Sequence, residues 1–153
     1  MKIRTLLVDD SPETLETLSL MYASHPQFEV VGAVHTVSEA VGFLKEKAVE
    51  LVSIDIQLRF GSGFQLCAHV HEYYPEVFIT MCSVEGRDLY QTLAYQNGAH
   101  HFLTKPITRR DIDDLVMRYT DFRHRVHESE THRSHDEVWI GQILADLLHQ
   151  RDG

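Results

Sequence analysis

Five side chains that could take part in phosphoryl chemistry stand at separate places in the sequence: Asp9, Asp10, Asp55, Ser83 and Lys105. Carboxylates held close together repel one another, and three of them stay ionised together around a hard cation such as Mg²⁺, which prefers carboxylate and water oxygens. A carboxylate beside Mg²⁺ can attack a phosphoryl group while the metal, a lysine and a hydroxyl stabilise the phosphoryl oxygens. If the fold brings these residues together, they predict a divalent-metal site with Asp55 as the nucleophile.

The elements that must position these residues are short strands alternating with helices. Runs of β-branched residues alternate with segments of helical periodicity, which predicts a parallel sheet covered by helices on both faces. The predicted strands cover residues 3–8, 28–34, 51–55, 77–82 and 100–103. In right-handed βαβ units every strand releases its carboxyl end at the same edge of the sheet. The residues that end or follow these strands should therefore converge on one crevice.

Local signals predict where the helices begin and end. Ser11 before Pro12 predicts the start of the first helix, because serine caps free N–H groups and proline fits the first turn. Three pairs fit the capping box, in which side chain and backbone satisfy each other: Thr36 with Glu39, Ser62 with Gln65 and, as a weaker version, Thr108 with Asp111. The pair Asn97-Gly98 predicts a left-handed cap at the end of the fourth helix.

Length and charge exclude several classes of protein. The chain has 153 residues, which is typical of one domain with a short appendage. Its net charge of −9 is the wrong sign for neutralising a phosphate backbone, so direct binding of nucleic acid by this chain is not expected. No apolar run approaches the ~18 residues of a membrane helix, and acidic residues follow the start too soon for a signal peptide. We therefore expect a cytoplasmic protein that does not bind membranes.

Four motifs, taken in order and spacing, are similar to those of a known family. They are LLVDD at residues 6–10, SIDIQLRFGSGF at 53–64, Cys82-Ser83 at the end of the fourth strand and LTKP at 103–106. Each motif is weak alone, but the ordered set resembles the receiver domains of bacterial two-component response regulators over residues 1–121. The resemblance implies a flavodoxin-like fold, a doubly wound five-stranded parallel sheet of the chemotaxis type.

The resemblance also implies a role for each residue of the crevice. Asp10 and Asp55, with the backbone carbonyl of Gln57, would bind Mg²⁺, and Asp9 would assist through water. Asp55 would accept the phosphoryl group from a sensor histidine kinase or a phosphotransfer protein. Lys105 would pair with the phosphoryl oxygens.

Two further residues would form a switch by the same resemblance. Ser83 would move toward the phosphoryl group and draw Phe102 from an outward to an inward rotamer. This movement would repack the surface formed by the fourth helix, the fifth strand and the fifth helix.

The C-terminal part of the sequence continues the helical pattern beyond the receiver. An apolar stripe runs through the fifth helix and past its usual end, so residues 122–135 are expected to hold an extended helix and a polar linker at 128–134. Residues 136–153 predict an amphipathic helix with an apolar stripe from Ile140 to Leu148. So short a helix cannot bury that stripe alone. It must pack on the receiver, on its twin in a homodimer, or on an output domain outside these residues.

These features predict a response regulator that works as a phosphorylation-controlled switch in a two-component phosphorelay. The chain would be a signalling module and not an enzyme, with only self-phosphorylation and slow autodephosphorylation, and it would act on a downstream protein partner or a missing output domain. One alternative is the N-terminal receiver fragment of a DNA-binding transcriptional regulator whose output domain is absent. Another is an aspartyl-phosphate phosphatase or phosphotransferase, but its D-x-D nucleophile motif is not found at Asp9-Asp10 or Asp55.

Overall fold

Five strands alternate with five helices along the chain. The computed structural model describes the backbone of residues 2–59 and 61–151, and the side chains of these residues outside 130–146 and 149–151. The strands are β1 (Ile3–Val8), β2 (Phe28–Val34), β3 (Leu51–Asp55), β4 (Phe78–Ser83) and β5 (His101–Thr104). The helices are α1 (Pro12–Ala23), α2 (Val37–Glu46), α3 (Gly63–Tyr73), α4 (Asp88–Gln96) and α5 (Arg109–Arg151).

The strands form one parallel sheet in the order β2-β1-β3-β4-β5. The predicted fold class, a doubly wound α/β fold with five parallel strands, is confirmed. The predicted C-terminal helix is present as a continuation of α5 and not as a separate helix. The strand order reverses between β1 and β3, which is where such sheets open a crevice at the carboxyl ends of their strands.

Two apolar layers hold the sheet between the helices. One core cluster joins Leu6, Ile54 and Met81 of the sheet to buried residues of α2, α3 and α4, such as Leu44 and Leu66. The two layers are separate because consecutive side chains of a strand point to opposite faces.

On the other face, aromatic rings connect the sheet with α1 and α5. Tyr22 of α1 packs edge to face on Phe28 with ring centroids 5.0 Å apart. Tyr119 of α5 packs in the same way on Phe78 of β4 at 6.0 Å. Helices therefore cover both faces, as the alternating pattern predicted.

The helix ends follow the predicted chemistry with two differences in detail. Thr36 accepts a hydrogen bond from the backbone N–H of Glu39 at 3.1 Å, but its hydroxyl also donates to the Glu39 carboxylate. Ser62 does cap α3, yet it accepts from the N–H of Phe64 at 3.1 Å, so the predicted box with Gln65 is wrong in its partner.

Two other predicted helix ends match the structure. Thr108 and Asp111 form both bonds of a capping box. Gly98 follows Asn97 with φ of 101°, the left-handed backbone that glycine adopts without strain.

Strand bounds agree with the prediction for β1, β2 and β3, whereas β4 and β5 each begin and end one residue later than predicted. The N–H of Val77 donates to the carbonyl of Tyr74 in the turn after α3, so β4 starts at Phe78.

Helix α5 differs from its prediction. The sequence predicted a polar linker at 128–134 between two helices, but α5 is one continuous helix of 43 residues. Glu128, Glu130 and Arg133 favour a helix in the polar stretch, and neither proline nor glycine interrupts it. The chain divides into two compact units, Met1–Tyr119 and Thr120–Gly153. The apolar stripe predicted from Ile140 to Leu148 lies mostly outside the described side chains.

Among the helices of residues 2–59 and 61–151, none is both long enough and apolar enough to cross a membrane.

Candidate functional site

The carboxyl ends of four strands bring the five predicted side chains to one edge of the sheet. Asp9 and Asp10 follow β1, Asp55 and Ser83 are the last residues of β3 and β4, and Lys105 comes directly after β5. Backbone pairing continues to this edge, because the N–H of Lys105 donates to the carbonyl of Ser83 at 2.8 Å. The five side chains therefore lie at the ends of strands that are paired by hydrogen bonds.

Three carboxylates form a cluster at this edge. Asp9, Asp10 and Asp55 each offer one oxygen, and these oxygens lie within 4.8 Å of one another. Asp9 is 1% exposed and Asp55 9%, while Asp10 is half-buried. Within the described part of the chain, this is the one group of acidic, histidine or cysteine side chains spaced to hold a metal ion. Because all three donors are hard oxygens, the cluster fits Mg²⁺ or a similar cation.

Lys105 supplies the positive charge next to the cluster. Its Nζ lies 2.7 Å from Oδ2 of Asp9 and 3.4 Å from Oδ2 of Asp55. Burial acts to lower the pKa of Lys105, but the hydrogen bond to Asp9 and the charges of Asp55 and Asp9 outweigh burial and raise it. The lysine is therefore a firmly charged partner shared between two carboxylates.

The environment of Asp55 favours its neutral form relative to a free aspartate. Burial raises the pKa of the Asp55 carboxyl, and the nearby Asp9 charge raises it further. The charge of Lys105 and the backbone N–H of Gln57, which donates to Oδ1 at 3.2 Å, act in the opposite direction. A bound cation would add to these opposing interactions and favour the ionised, nucleophilic carboxylate.

The loop after Asp55 is fixed by its own side chains. Ile56 and Leu58 are buried on either side of exposed Gln57. Gln57 also forms an antiparallel bridge with Ser62, the residue that caps α3. The backbone of Gln57, whose carbonyl is a predicted metal ligand, is therefore held next to Asp55.

Gly63, the first residue of α3, packs directly against the chain at Asp55. A Cβ atom at Gly63 would collide with the carbonyl oxygen of Asp55 and would lie 2.8 Å from Cα of Ile56. The N–H of Gly63 donates to the carbonyl of Ile56 at 3.2 Å. Only glycine fits this approach, so Gly63 is a positioning residue that the sequence analysis missed. The signal was present in the GSGF run at residues 61–64.

Ser83 is 1% exposed at the end of β4. Its hydroxyl oxygen accepts a hydrogen bond from the backbone N–H of Glu85 at 3.0 Å. Three residues after Ser83, Gly86 packs closely on the side chain of Thr104, the residue before Lys105. The hydroxyl therefore lies at the site's edge but is engaged by its own loop.

Phe102 is half-buried in β5 and packs against the core cluster of the α2, α3 and α4 face. Phe102 is therefore in contact with a layer that α4 helps to form. The predicted switch role of Phe102 stays a prediction.

Two buried histidines that the sequence analysis did not single out contact acidic residues of α5: His101 of β5 and His25 of the segment between α1 and β2. His101 lies between Thr80, whose hydroxyl is 3.1 Å from Nδ1, and Asp114 of α5, whose Oδ2 is 3.4 Å from Nε2. Burial lowers the pKa of His101, although Asp114 opposes that shift. His25 makes a similar contact with Asp113 at 3.3 Å. Strand periodicity alone gives no sign of such pairings.

A pocket of about 420 Å³ lies beside the site, between α1 and the segment after β5. It is lined by Glu13, Thr14, Thr17, Leu18, Met21, Lys105, Pro106 and Ile107. The peptide bond between Lys105 and Pro106 is cis. Lys105 thus contributes both to the acidic cluster and to the wall of this pocket.

Known proteins are similar to this chain in sequence or in structure. Chemotaxis protein CheY of Halobacterium salinarum is 29% identical over 113 residues, which cover 74% of this chain and 92% of that protein. Sensory transduction protein LytT of Enterococcus faecalis is 27% identical over 114 residues, or 74% of this chain and 46% of LytT. The response regulator domain of Thermotoga maritima CheB has a TM-score of 0.70 and 26% identity, covering 81% of this chain and 98% of that one.

Several of these relatives are longer proteins. Besides LytT, the chain matches two protein-glutamate methylesterases, from Geobacter sulfurreducens and Vibrio vulnificus. It covers only 33% and 34% of their lengths. The chain therefore corresponds to about a third to a half of these relatives.

A comparison with protein families matches residues 5–117 to the response regulator receiver domain. That span includes all five residues of the crevice and all five strands except the first two residues of β1. The chain belongs to the family of response regulator receiver domains of two-component signal transduction.

Proposed function

We propose that this receiver domain is switched by Mg²⁺-dependent phosphorylation of Asp55, with a sensor histidine kinase or a phosphotransfer protein as the donor. The observation that carries the proposal is the position of the Asp55 carboxylate, which shares Lys105 with Asp9 and clusters with Asp9 and Asp10. A nucleophilic carboxylate beside a metal site and a fixed cation is the arrangement that phosphoryl transfer to aspartate requires.

Asp10, Asp55 and the backbone carbonyl of Gln57 would hold Mg²⁺, with Asp9 assisting through water. The bound ion would supply positive charge for the phosphoryl oxygens. Lys105 would bind a phosphoryl oxygen through Nζ, which already lies 3.4 Å from Asp55. Phosphorylation would therefore draw Lys105 away from Asp9 and toward the new phosphoryl group.

Ser83 and Phe102 would convert the modification into a change of surface. The Ser83 hydroxyl would exchange its bond with the N–H of Glu85 for a phosphoryl oxygen. Phe102 would then turn further into the layer that α4 covers, and the surface of α4, β5 and α5 would repack. The chain would act as a signalling module with no activity beyond self-phosphorylation and slow autodephosphorylation, and it would work in the cytoplasm.

The downstream step is a second part of the proposal. One candidate is a receiver that acts on a separate protein. The second candidate is the receiver portion of a longer regulator, because the chain spans 46% of LytT and about a third of two methylesterases. Among longer regulators, a DNA-binding one is favoured by two transcriptional regulatory proteins named BtsR, of which the chain spans 47%.

Intact-mass spectrometry tests the phosphorylation. The protein is incubated with Mg²⁺ and acetyl phosphate or phosphoramidate, and we expect one phosphoryl group per chain, with none after EDTA treatment. The Asp55→Asn variant should gain no phosphoryl group, because an amide is nearly isosteric but a poor nucleophile. Asp88→Asn, at an exposed position in the first turn of α4, is the matched control and should be modified normally. An equal adduct in Asp55→Asn would remove Asp55 from its role.

A further inference from the structure

Two buried histidines contact neighbouring acids of α5 from different parts of the fold. Nε2 of His25, between α1 and β2, lies 3.3 Å from Oδ1 of Asp113. Nε2 of His101, the first residue of β5, lies 3.4 Å from Oδ2 of Asp114. Consecutive residues of a helix point about 100° apart, so the two acids lie on either side of the buried stripe of α5. That stripe includes Ile112, Leu115 and Tyr119. The first turns of α5 are thus held on both flanks.

The partners of both imidazoles require a hydrogen on Nε2. An ionised carboxylate accepts hydrogen bonds but cannot donate one, so the nitrogen that faces it must carry the hydrogen. In His25 the other nitrogen, Nδ1, accepts from the backbone N–H of Gln27 at 3.1 Å. In His101, Nδ1 lies 3.1 Å from the hydroxyl oxygen of Thr80, which can donate to it. Both contacts with α5 are therefore complete when the imidazoles are neutral.

Protonation of His101 would disturb this arrangement. The second hydrogen would go to Nδ1, and the hydroxyl of Thr80 would then have to accept it and turn its own hydrogen elsewhere. Thr80 is fully buried and His101 is 6% exposed, so the new charge and the displaced hydroxyl hydrogen would both be away from water, which is costly. The second side chain that β4 presents to His101, the Phe78 ring, is also uncharged. The folded arrangement therefore favours the neutral imidazole.

The charges with the largest effects on the His101 imidazole come from α5. Asp114 and Asp111 act to raise the pKa of His101, and Arg118, which lies 3.8 Å from Asp114, acts to lower it. Burial outweighs the two acids, so the pKa of His101 is lowered. The charged imidazole would therefore be stabilised best by exposure to water, and α5 is the helix that contacts it.

We propose that protonation of His101 releases residues 109–119 of α5 from β5. In mild acid the imidazole would take up one proton from water at Nδ1, and the helix would move away so that the charged ring reaches solvent. The bond to Asp114 and the packing of Tyr119 on Phe78 would be lost together, because both hold this part of α5 to the strands. Histidine suits this role because its charge ordinarily changes between about pH 5 and 8.

Helix α5 is one side of the surface that phosphorylation is proposed to repack, so acid would act on that surface by a second route. The inference depends on the contacts of His101 with α5 and not on phosphorylation of Asp55, so either can fail without the other.

Hydrogen exchange of the full chain, followed by mass spectrometry between pH 7 and 5, measures the release. After correction for the intrinsic exchange rate, opening of residues 112–119 should increase by up to about tenfold per pH unit, because each opening takes up one proton. Residues 38–46 of α2, on the other face of the sheet, should keep their protection. Equal loss of protection in α2 would indicate global unfolding and would contradict a local release.

A variant without the titrating group tests the role of His101 in this opening. The side-chain amide of His101→Gln can still donate to Asp114 but takes up no proton in this range, so its opening should be the same at pH 7 and 5. His35→Gln, at an exposed position, is the matched control and should keep the native dependence on pH. Opening that is independent of pH in the native chain, or equally steep in His101→Gln, would overturn the inference.

NMR of the imidazole nitrogens tests the same inference with His101 in place. At pH 7 the hydrogen of His101 should be on Nε2, and its titration midpoint should lie below 6.5. Asp114→Asn should move that midpoint to lower pH and Arg118→Gln to higher pH, because the first removes an attraction and the second a repulsion. Arg110→Gln, at another exposed position of α5, is the matched control. A hydrogen on Nδ1 at pH 7, or a midpoint that neither variant moves, would overturn the inference.

Discussion

The Nζ atom of Lys105 lies closer to Asp9, at 2.7 Å, than to Asp55, at 3.4 Å. Asp9 is almost fully buried, and a buried carboxylate is costly unless a cation compensates its charge. Oδ1 of Asp9 additionally accepts a hydrogen bond from the N–H of Ser11. Lys105 therefore compensates the most buried acid of the cluster and reaches Asp55 as its second partner.

Loss of Lys105 should destabilise the protein in the absence of metal. We expect Lys105→Met to lower the free energy of unfolding by about 3 kcal/mol, because Asp9 keeps a buried charge without its cation. The double variant with Asp9→Asn should recover part of that loss. Urea denaturation in EDTA measures both, with Lys45→Met at an exposed position of α2 as control. Equal stability of Lys105→Met and the native chain would contradict the role of the pair.

Asp10 should affect metal binding and stability in opposite directions. Removing one of three crowded carboxylates relieves repulsion, so Asp10→Ala should raise the melting temperature of the metal-free protein. The same variant should bind Mg²⁺ more weakly, because a ligand is lost. Melting curves with and without Mg²⁺ measure both effects. A lower or unchanged melting temperature without metal would argue against repulsion within the cluster.

Buried His101 should make the protein less stable in mild acid. Burial lowers its pKa below the usual 6.5, so the unfolded chain binds a proton first as the pH falls. Stability should therefore decrease as the pH falls below about 6.5, until the folded-state pKa is reached. His101→Asn should flatten this dependence between pH 7 and 5, measured by urea unfolding. His35→Asn, at an exposed position, is the control, and an equal slope in native and His101→Asn proteins would refute the assignment.

The raised pKa of Asp55 predicts a dependence on pH of the opposite sign. Since the folded-state pKa lies above 3.8, ionisation of Asp55 is harder in the folded chain, and its contribution to stability declines as the pH rises from 3.8 through the folded-state value. Asp55→Asn should therefore stabilise the metal-free protein more at pH 7 than at pH 4. Urea unfolding at the two values provides the comparison. A stabilisation that is larger at pH 4 would show that Lys105 outweighs burial.

Gly63 should be intolerant of a side chain. Gly63→Ala would push a methyl group into the backbone at Asp55 and Ile56, so we expect a loss of more than about 2 kcal/mol of stability and slower phosphorylation. Gly42→Ala in the exposed face of α2 is the control. Its Cβ would meet nothing within 4 Å, so it should raise stability by about 0.5 to 1 kcal/mol. Normal phosphorylation of Gly63→Ala would show that the loop adapts.

The positions of the crevice residues could be predicted because they depend on strand ends, and strand ends depend on local pattern. The first three strands match to the residue, since apolar runs end at charged residues such as Asp9 and Asp55. The predicted start of β4 was one residue too early. The N–H of Val77 donates a hydrogen bond within a turn, and the hydrophobic pattern does not reveal that turn.

Contacts between distant parts of the chain could not be predicted in the same way. The pairs of His25 with Asp113 and of His101 with Asp114 join residues on different elements, and no spacing rule connects them. The predicted linker failed for another reason. Polar composition was interpreted as a loop, although no proline or glycine at 128–134 ends the helix, and α5 continues through these residues without a break.

Two consecutive residues of β5 make contacts on opposite faces of the strand. His101 is bonded to Asp114 of α5 on one side, and Phe102 packs against the core layer that α4 helps to form on the other. Because neighbouring side chains of a strand point to opposite faces, a rotation of β5 about its own axis would displace the two side chains in opposite directions. A rotamer change at Phe102 that rotated β5 would therefore also move His101 relative to Asp114 of α5, so the two contacts would be coupled through a single peptide unit.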